Sequence, residues 1–271
     1  MKDPSKAILK LISESDRRLA VDAVVQTLSS ADGFARRELR QAIRRLVDSG
    51  ELAYSYELGQ SFLGRSFNRP VAVSRRITLT PPGHRVRSVP PMITVTLAAG
   101  AAFGYGQHPT TRMALQAIDT ALANNPDLVT DPGAGILDLG TGSGVLVIAA
   151  VLLGMPGGKG IDIDPCALTE AARNVVLNGL QRDIVIENTP LESLSGQFAL
   201  VAANLRRPTL EAYSHQIAAS VRSRGALILS GLKIEEKEAL LNVYTGRGFQ
   251  KEQDWHEKGW AAIYMKKGQP L

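Results

Sequence analysis

Apolar residues recur along the first fifty positions with the period of a helix. Ala7, Ile8, Leu11 and Ile12 form one set, Val21, Val24, Val25 and Leu28 a second, and Leu39, Ala42, Ile43, Leu46 and Val47 a third. The third stripe is bounded by turn-forming residues 29–33 and by Ser49-Gly50. Leu52, Tyr54 and Tyr56 then alternate with smaller or polar residues, and Val71, Val73, Ile77 and Leu79 resume a strand pattern before Pro81-Pro82-Gly83. From residue 92 onward the rhythm changes. Short apolar runs predict strands at 136–139, 160–163, 184–187, 198–203, 226–229, 249–254 and 260–265, the first five alternating with helical segments at 145–153, 168–177, 209–221 and 234–244. Parallel strands joined by helices, closing on a hairpin, predict an α/β fold with a seven-stranded Rossmann-like sheet.

Three helices and a strand pair ahead of that sheet resemble a winged helix-turn-helix. Pro81, Pro82, Pro90 and Pro91 bracket a linker, so the expected division is 1–83 for the winged-helix-like domain, 84–100 for the linker and domain entry, and 101–267 for the α/β domain. A chain of 271 residues is long enough for one large domain and one small one. No run of eighteen apolar residues occurs and the start has no signal-peptide hydrophobic region, which predicts a cytoplasmic protein with no membrane partner. Cys166 is the one cysteine, so neither a disulfide nor a cysteine-based metal site is expected, and no metal is assigned. Charge is unevenly placed: residues 1–92 carry 16 Lys and Arg against 9 Asp and Glu, and the remainder 15 against 17. Any basic partner-facing surface is therefore N-terminal, with Arg37, Arg40, Arg44 and Arg45 off the apolar stripe of the third helix.

The sharpest chemistry lies in Asp138-Leu139-Gly140-Thr141-Gly142-Ser143-Gly144, set between an apolar strand and an apolar helix. A strand, a glycine turn and a helix build a nucleotide pocket. The dinucleotide fingerprint fails, because Val145 stands at the sixth position from Gly140, where a small residue is required. Asp138 would repel a pyrophosphate and attract an ammonium. A second strand end, Gly160-Ile161-Asp162-Ile163-Asp164-Pro165, places Asp162 22 residues after Gly140, near the usual offset of a ribose-binding acid. A ligand with both a ribose and a cationic amino-acid end is S-adenosylmethionine.

Two more segments, Ala102-Phe103-Gly104-Tyr105-Gly106-Gln107-His108-Pro109-Thr110-Thr111 and Val201-Ala202-Ala203-Asn204-Leu205, complete a pattern. Together the four motifs resemble the bacterial ribosomal protein L11 methyltransferases, a class I S-adenosylmethionine-dependent family that reads A-F-G-T-G-x-H-P-T-T, D-x-G-x-G-S-G, G-x-D-I-D-P and V-A-N-L. The likeness runs from about residue 101 to 266, and Leu229-Ser230-Gly231 and the strand from Gly259-Trp260 to Tyr264 share it. Tyr105 departs from the family's threonine, and the winged-helix-like domain departs from its small α/β recruiting module.

The glycines at 140, 142 and 144 are expected to admit the methionyl part, with Thr141 in the same loop, while Asp138 supports that loop or takes the ammonium. Asp162 is assigned to the ribose hydroxyls, Ile163 to the cofactor site beside it, Asn188 to the adenine, and Asp164 to capping the next helix or ordering the turn. Phe103, Gly104 and Thr111 belong to a segment folding over the cofactor. His108 in it binds the methionyl carboxylate or the acceptor, or starts the helix as a plain hydrogen bonder. Asn204 doubles as a cofactor contact and as the acceptor-side residue: its amide oxygen and the neighbouring carbonyl accept from an incoming amine. Leu205-Arg206-Arg207-Pro208 lacks the Pro-Pro-aromatic that stacks planar amides or bases. Trp255, His256 and Trp260 are read as packing or rim residues. The expected activity is N-methylation of amines on a ribosomal or translation-associated protein. The alternatives are an RNA or DNA methyltransferase gripping nucleic acid through the basic winged helix, and a non-enzymatic sensor of S-adenosylmethionine.

Overall fold

The structure, a computed structural model, describes residues 3–269 apart from 16–18, 58–59, 85, 99, 101, 131–132, 134 and 194–195. Ala101, where the α/β domain is expected to begin, lies outside the described residues. Two compact units divide after Arg69. The first holds α1 (Pro4–Glu14), α2 (Val21–Asp32), α3 (Arg36–Asp48) and an antiparallel pair, β1 (Leu52–Glu57) with β2 (Gln60–Arg65). Asp3 caps α1 by accepting the Ser5 amide, and Gly33 ends α2 at φ 73°, a left-handed conformation that favours glycine. Its core joins the three apolar stripes to Leu52 and Leu63.

The boundary differs from the sequence expectation. The strands β3 (Val71–Ala72) and β4 (Ile77–Thr80) belong to the second unit, where β4 runs parallel to β5 (Ile93–Thr96) inside the expected linker. Long-range polar contacts decide this. Arg76 pairs with the nearly buried Asp119 at 2.5 Å on α4 (Pro109–Asn124), and Gln116 of that helix donates to the Val73 carbonyl.

The second unit continues through α5 (Asp127–Thr130), β6 (Ile136–Leu139), α6 (Val145–Leu152), β7 (Gly158–Ile161), α7 (Pro165–Leu177), β8 (Ile184–Glu187), β9 (Phe198–Asn204), α8 (Arg207–Ala212), α9 (Ser214–Ser220), β10 (Val221–Lys233), α10 (Lys237–Thr245), β11 (Phe249–Glu257) and β12 (Trp260–Lys267). The sheet has seven strands in the order β11-β12-β10-β9-β6-β7-β8. The five from β8 to β10 are parallel, and β12 is antiparallel to both its neighbours. Leu137, Leu139, Val201, Ala203, Leu227 and Leu229 point to one side and are buried with Leu210, Ile217, Leu240 and Tyr244 of the helices after β9 and β10. The alternate residues, Ile136, Leu200, Ala202 and Ile228, are buried as well, so both faces are covered.

Several elements depart from their expected bounds. β7 stops two residues early because the chain turns at Asp162, whose carboxylate accepts the Asp164 amide. The helix expected at 209–221 is two helices, α8 and α9, with the Ser214 hydroxyl donating to the Glu211 carbonyl where the first ends. β10 extends to 13 residues through the polar Arg222-Ser223-Arg224, with a register shift between Val221 and Ala226 that periodicity cannot reveal. No helix among the described residues is long and apolar enough to cross a membrane.

Candidate active site

The carboxyl ends of β6, β7 and β9 meet at one edge of the sheet, and the glycine loop lies over β6. Gly140, Gly142 and Gly144 have φ of 68°, 54° and 80°, all left-handed, which explains the glycine at every second position. Space imposes a second demand. A Cβ on Gly142 would run into the Phe103 carbonyl oxygen, which already accepts the Ser143 amide at 2.8 Å. A Cβ on Gly140 would come 2.5 Å from Leu205 Cδ2. The loop is thus clasped between the segment at 103 and the end of β9.

Asp138 is fully buried under this loop. Its Oδ2 accepts from the Thr141 hydroxyl at 2.8 Å and from the Val147 amide at 3.3 Å, while Oδ1 has no partner among the described residues. Burial pushes its carboxyl up to about 7, those two donors hold it down in part, and the charge of Asp162 adds to the rise. On β7's side, Asp162 is half-buried; Oδ2 accepts the Gly142 amide at 2.9 Å and Oδ1 the Asp164 amide at 3.0 Å. It ties the two motifs to one another and keeps acceptor capacity to spare. Asp164 caps α7 by accepting the Cys166 amide, as its place before Pro165 suggests. Ile163 is 82% exposed on the same turn, an apolar side chain with nothing over it, and Asn188 is exposed just past β8.

The segment from Ala102 to Arg112 is strapped down at several points. Tyr105 donates its hydroxyl to Glu170 of α7, and the same carboxylate oxygen accepts the Ala102 amide at 3.0 Å. Burial and this bond drive the Tyr105 phenol far above the ordinary tyrosine range. Arg112 donates to the carbonyls of Gly106 and Gln107 at 2.8 and 2.6 Å and pairs with Glu257 of β11. His108 is the N-cap of α4: its Nδ1 lies 2.8 Å from the Thr110 hydroxyl. Its ring sits between Phe103, at 5.2 Å, and Trp260, at 4.7 Å, with the Lys233 ammonium 3.8 Å over the Trp260 ring. Phe103 stays half exposed.

Four buried side-chain atoms lack a hydrogen-bond partner among the described residues: Thr111 Oγ1, Asp138 Oδ1, Ser143 Oγ and Asn204 Oδ1. They stand on four segments that touch one another. Ser143 meets the 103–104 segment, Asn204 ends β9 in register with Ser230, and the Ser230 hydroxyl donates to the carbonyl of Thr110, next to Thr111. A buried polar group left unpaired costs about 1–3 kcal/mol, so four on neighbouring segments mark a place where added hydrogen-bond partners would be stabilising. Three of the four are named from sequence. Ser143 is missed, although its hydroxyl lies inside the glycine motif. Trp260, read as a packing or rim residue, packs against His108, and Glu170 is missed because nothing local announces its partner 65 residues earlier. Among the described residues no three His, Cys, Asp or Glu side chains are grouped to hold a metal ion.

A family model of the ribosomal protein L11 methyltransferases (PrmA) matches residues 65–268. The ribosomal protein L11 methyltransferase of Geobacter metallireducens is 32% identical over 200 residues, 74% of this chain and 63% of that one. That of Geobacter sulfurreducens is 39% identical over 178 residues, 66% and 56% respectively. The chain therefore spans less than two thirds of the length of these curated relatives. A crystal structure of a ribosomal protein L11 methylase from Lactobacillus delbrueckii subsp. bulgaricus superposes with a TM-score of 0.65 at 27% identity, covering 74% of this chain and 100% of that one.

Proposed function

The chain belongs to the ribosomal protein L11 methyltransferase family, and from that membership we propose that it methylates amine nitrogens of a ribosomal protein with S-adenosylmethionine. The observation that carries the reading is the set of four unpaired buried polar atoms around a left-handed glycine loop. Their chemistry fits the ligand. Asp138 Oδ1 and the Ser143 hydroxyl suit its amino-acid end, with Gly140, Thr141, Gly142 and Gly144 leaving room for it. The Asp162 carboxylate suits the ribose hydroxyls, and exposed Ile163, with Asn188, offers a surface to the adenine. Phe103, Gly104 and Thr111 cover the site. When bound, S-adenosylmethionine supplies an electrophilic methyl group on a positively charged sulfur.

The chain's own work is positioning. Asn204 Oδ1 accepts an N–H of the incoming amine and aims its lone pair. His108 acts through structure: its Nδ1 is spent on the helix cap, so it serves as a positioning residue holding Phe103 and Trp260 in place. We read the first unit as a winged helix that recruits the acceptor, and a ribosomal acceptor locates the enzyme in the cytoplasm. Tritiated S-adenosylmethionine incubated with extract lacking the enzyme tests the reading. Label is expected in a protease-sensitive pool at one ribosomal protein; label in a nuclease-sensitive pool overturns it.

A further inference from the structure

The first unit carries one feature that methyl transfer does not use. α3 buries Leu39, Ala42, Ile43 and Leu46, which fixes the helix as a rigid platform. Its other side presents Arg36, Arg37, Arg40, Gln41 and Arg44, all exposed, around a groove of about 470 Å³. These positions follow i, i+1, i+4, i+5 and i+8, a single face about 12 Å long at 1.5 Å per residue. No carboxylate and no lysine lines the groove. Arg40 alone of these arginines has a carboxylate partner among the described residues, Asp22 at 2.7 Å, and both side chains of that pair are well exposed, so it binds weakly. Arg65 and the exposed ring of Tyr54 lie on the β1–β2 hairpin of the same unit.

An ordinary solvated face mixes both signs of charge along i, i+4 pairs. A row made of guanidinium groups suits phosphates, each of which can take two parallel N–H donors. We propose that the α3 groove of the first unit binds the phosphate backbone of RNA, holding the enzyme on an RNA-bearing substrate. The choice of RNA rests on the reading of the acceptor as a ribosomal protein; the choice of phosphate rests on the arginine row alone. The bound strand contributes no acceptor atom, so methylation of the protein and retention on RNA are separate events.

The test uses the full chain and a fluorescein-labelled RNA duplex of twenty base pairs, titrated without S-adenosylmethionine at several KCl concentrations. Binding in the micromolar range at low salt is expected, weakening as salt rises. The triple variant R36A/R37A/R44A is expected to lower the slope of log affinity against log salt by about 3, one for each guanidinium that no longer neutralises a phosphate. The double variant K6A/K10A removes charge from α1 of the same unit and is expected to leave the slope unchanged, with circular dichroism reporting the fold of each variant. A folded triple variant with the wild-type slope, an equal loss in K6A/K10A, or no RNA binding at low salt overturns the proposal. Tighter binding of a DNA duplex of the same length overturns the assignment to RNA. None of these measurements involves methyl transfer, so a failed methylation assay and a failed RNA titration are read independently.

Discussion

The two units solve different problems with their polar groups. In the first, the interior is an apolar cluster from Ile8 to Leu63, and its charges stand outside on α3. In the second, one carboxylate oxygen, an amide oxygen and two hydroxyls are buried without partners among the described residues. A unit of the first kind is finished when it folds and can only act through its surface. The second leaves hydrogen-bonding capacity inside, a design that makes sense when a small molecule supplies the missing donors and acceptors.

The sharpest way to break this contrast is at Asn204. If its amide oxygen aims the acceptor, Asn204→Ala lowers kcat by about 10²- to 10³-fold while the affinity for S-adenosylhomocysteine, measured calorimetrically, changes little. A parallel loss of affinity would move Asn204 to the cofactor side. Leu39→Ala addresses the other unit. It opens a cavity in the N-terminal core at a cost of about 3 kcal/mol, which lowers the unfolding midpoint of that unit, yet leaves S-adenosylhomocysteine affinity where it was.

Asp162→Ala is expected to weaken S-adenosylhomocysteine binding by about 30- to 100-fold, since it removes a ribose acceptor and also frees the Gly142 amide. Unchanged affinity in the calorimeter would remove the ribose assignment. A smaller effect concerns pH. Folded Asp138 titrates at about 7, above its ordinary carboxylate value, so the ligand-free native state holds an extra proton between about pH 4 and pH 7. Its contribution to stability is full below that window and is lost as pH rises through 7, with a slope of at most about 1.4 kcal/mol per pH unit. Urea unfolding at pH 5, 6 and 7 should show that decline in the wild type and a flatter profile in Asp138→Asn. Smallest of all, Tyr105→Phe removes the bond to Glu170 and should cost about 1 kcal/mol in thermal unfolding.

Sequence revealed whatever is local. The strands 136–139 and 184–187 are mostly apolar runs, each with one carboxylate, and they occur at those positions. The glycine spacing pointed to a tight turn, which the structure makes with left-handed backbone, and Asp164 before a proline pointed to a helix cap. What was hidden depends on partners far along the chain. Nothing near Arg76 indicates that Asp119 will draw β4 into the second unit, and nothing near His108 announces a tryptophan 152 positions later. Tyr105 looked like a weak point in the family motif. Its hydroxyl instead reaches Glu170, an alternative available only after α7 is packed beside the loop.

The placing of β12 has a consequence for how the molecule is assembled. It follows β11 in the chain, but it lies between β11 and β10, and it is the strand to which β11 is hydrogen-bonded. Residues 249–257 can therefore enter the sheet only together with or after 260–267, which serve as the keystone joining them to β10.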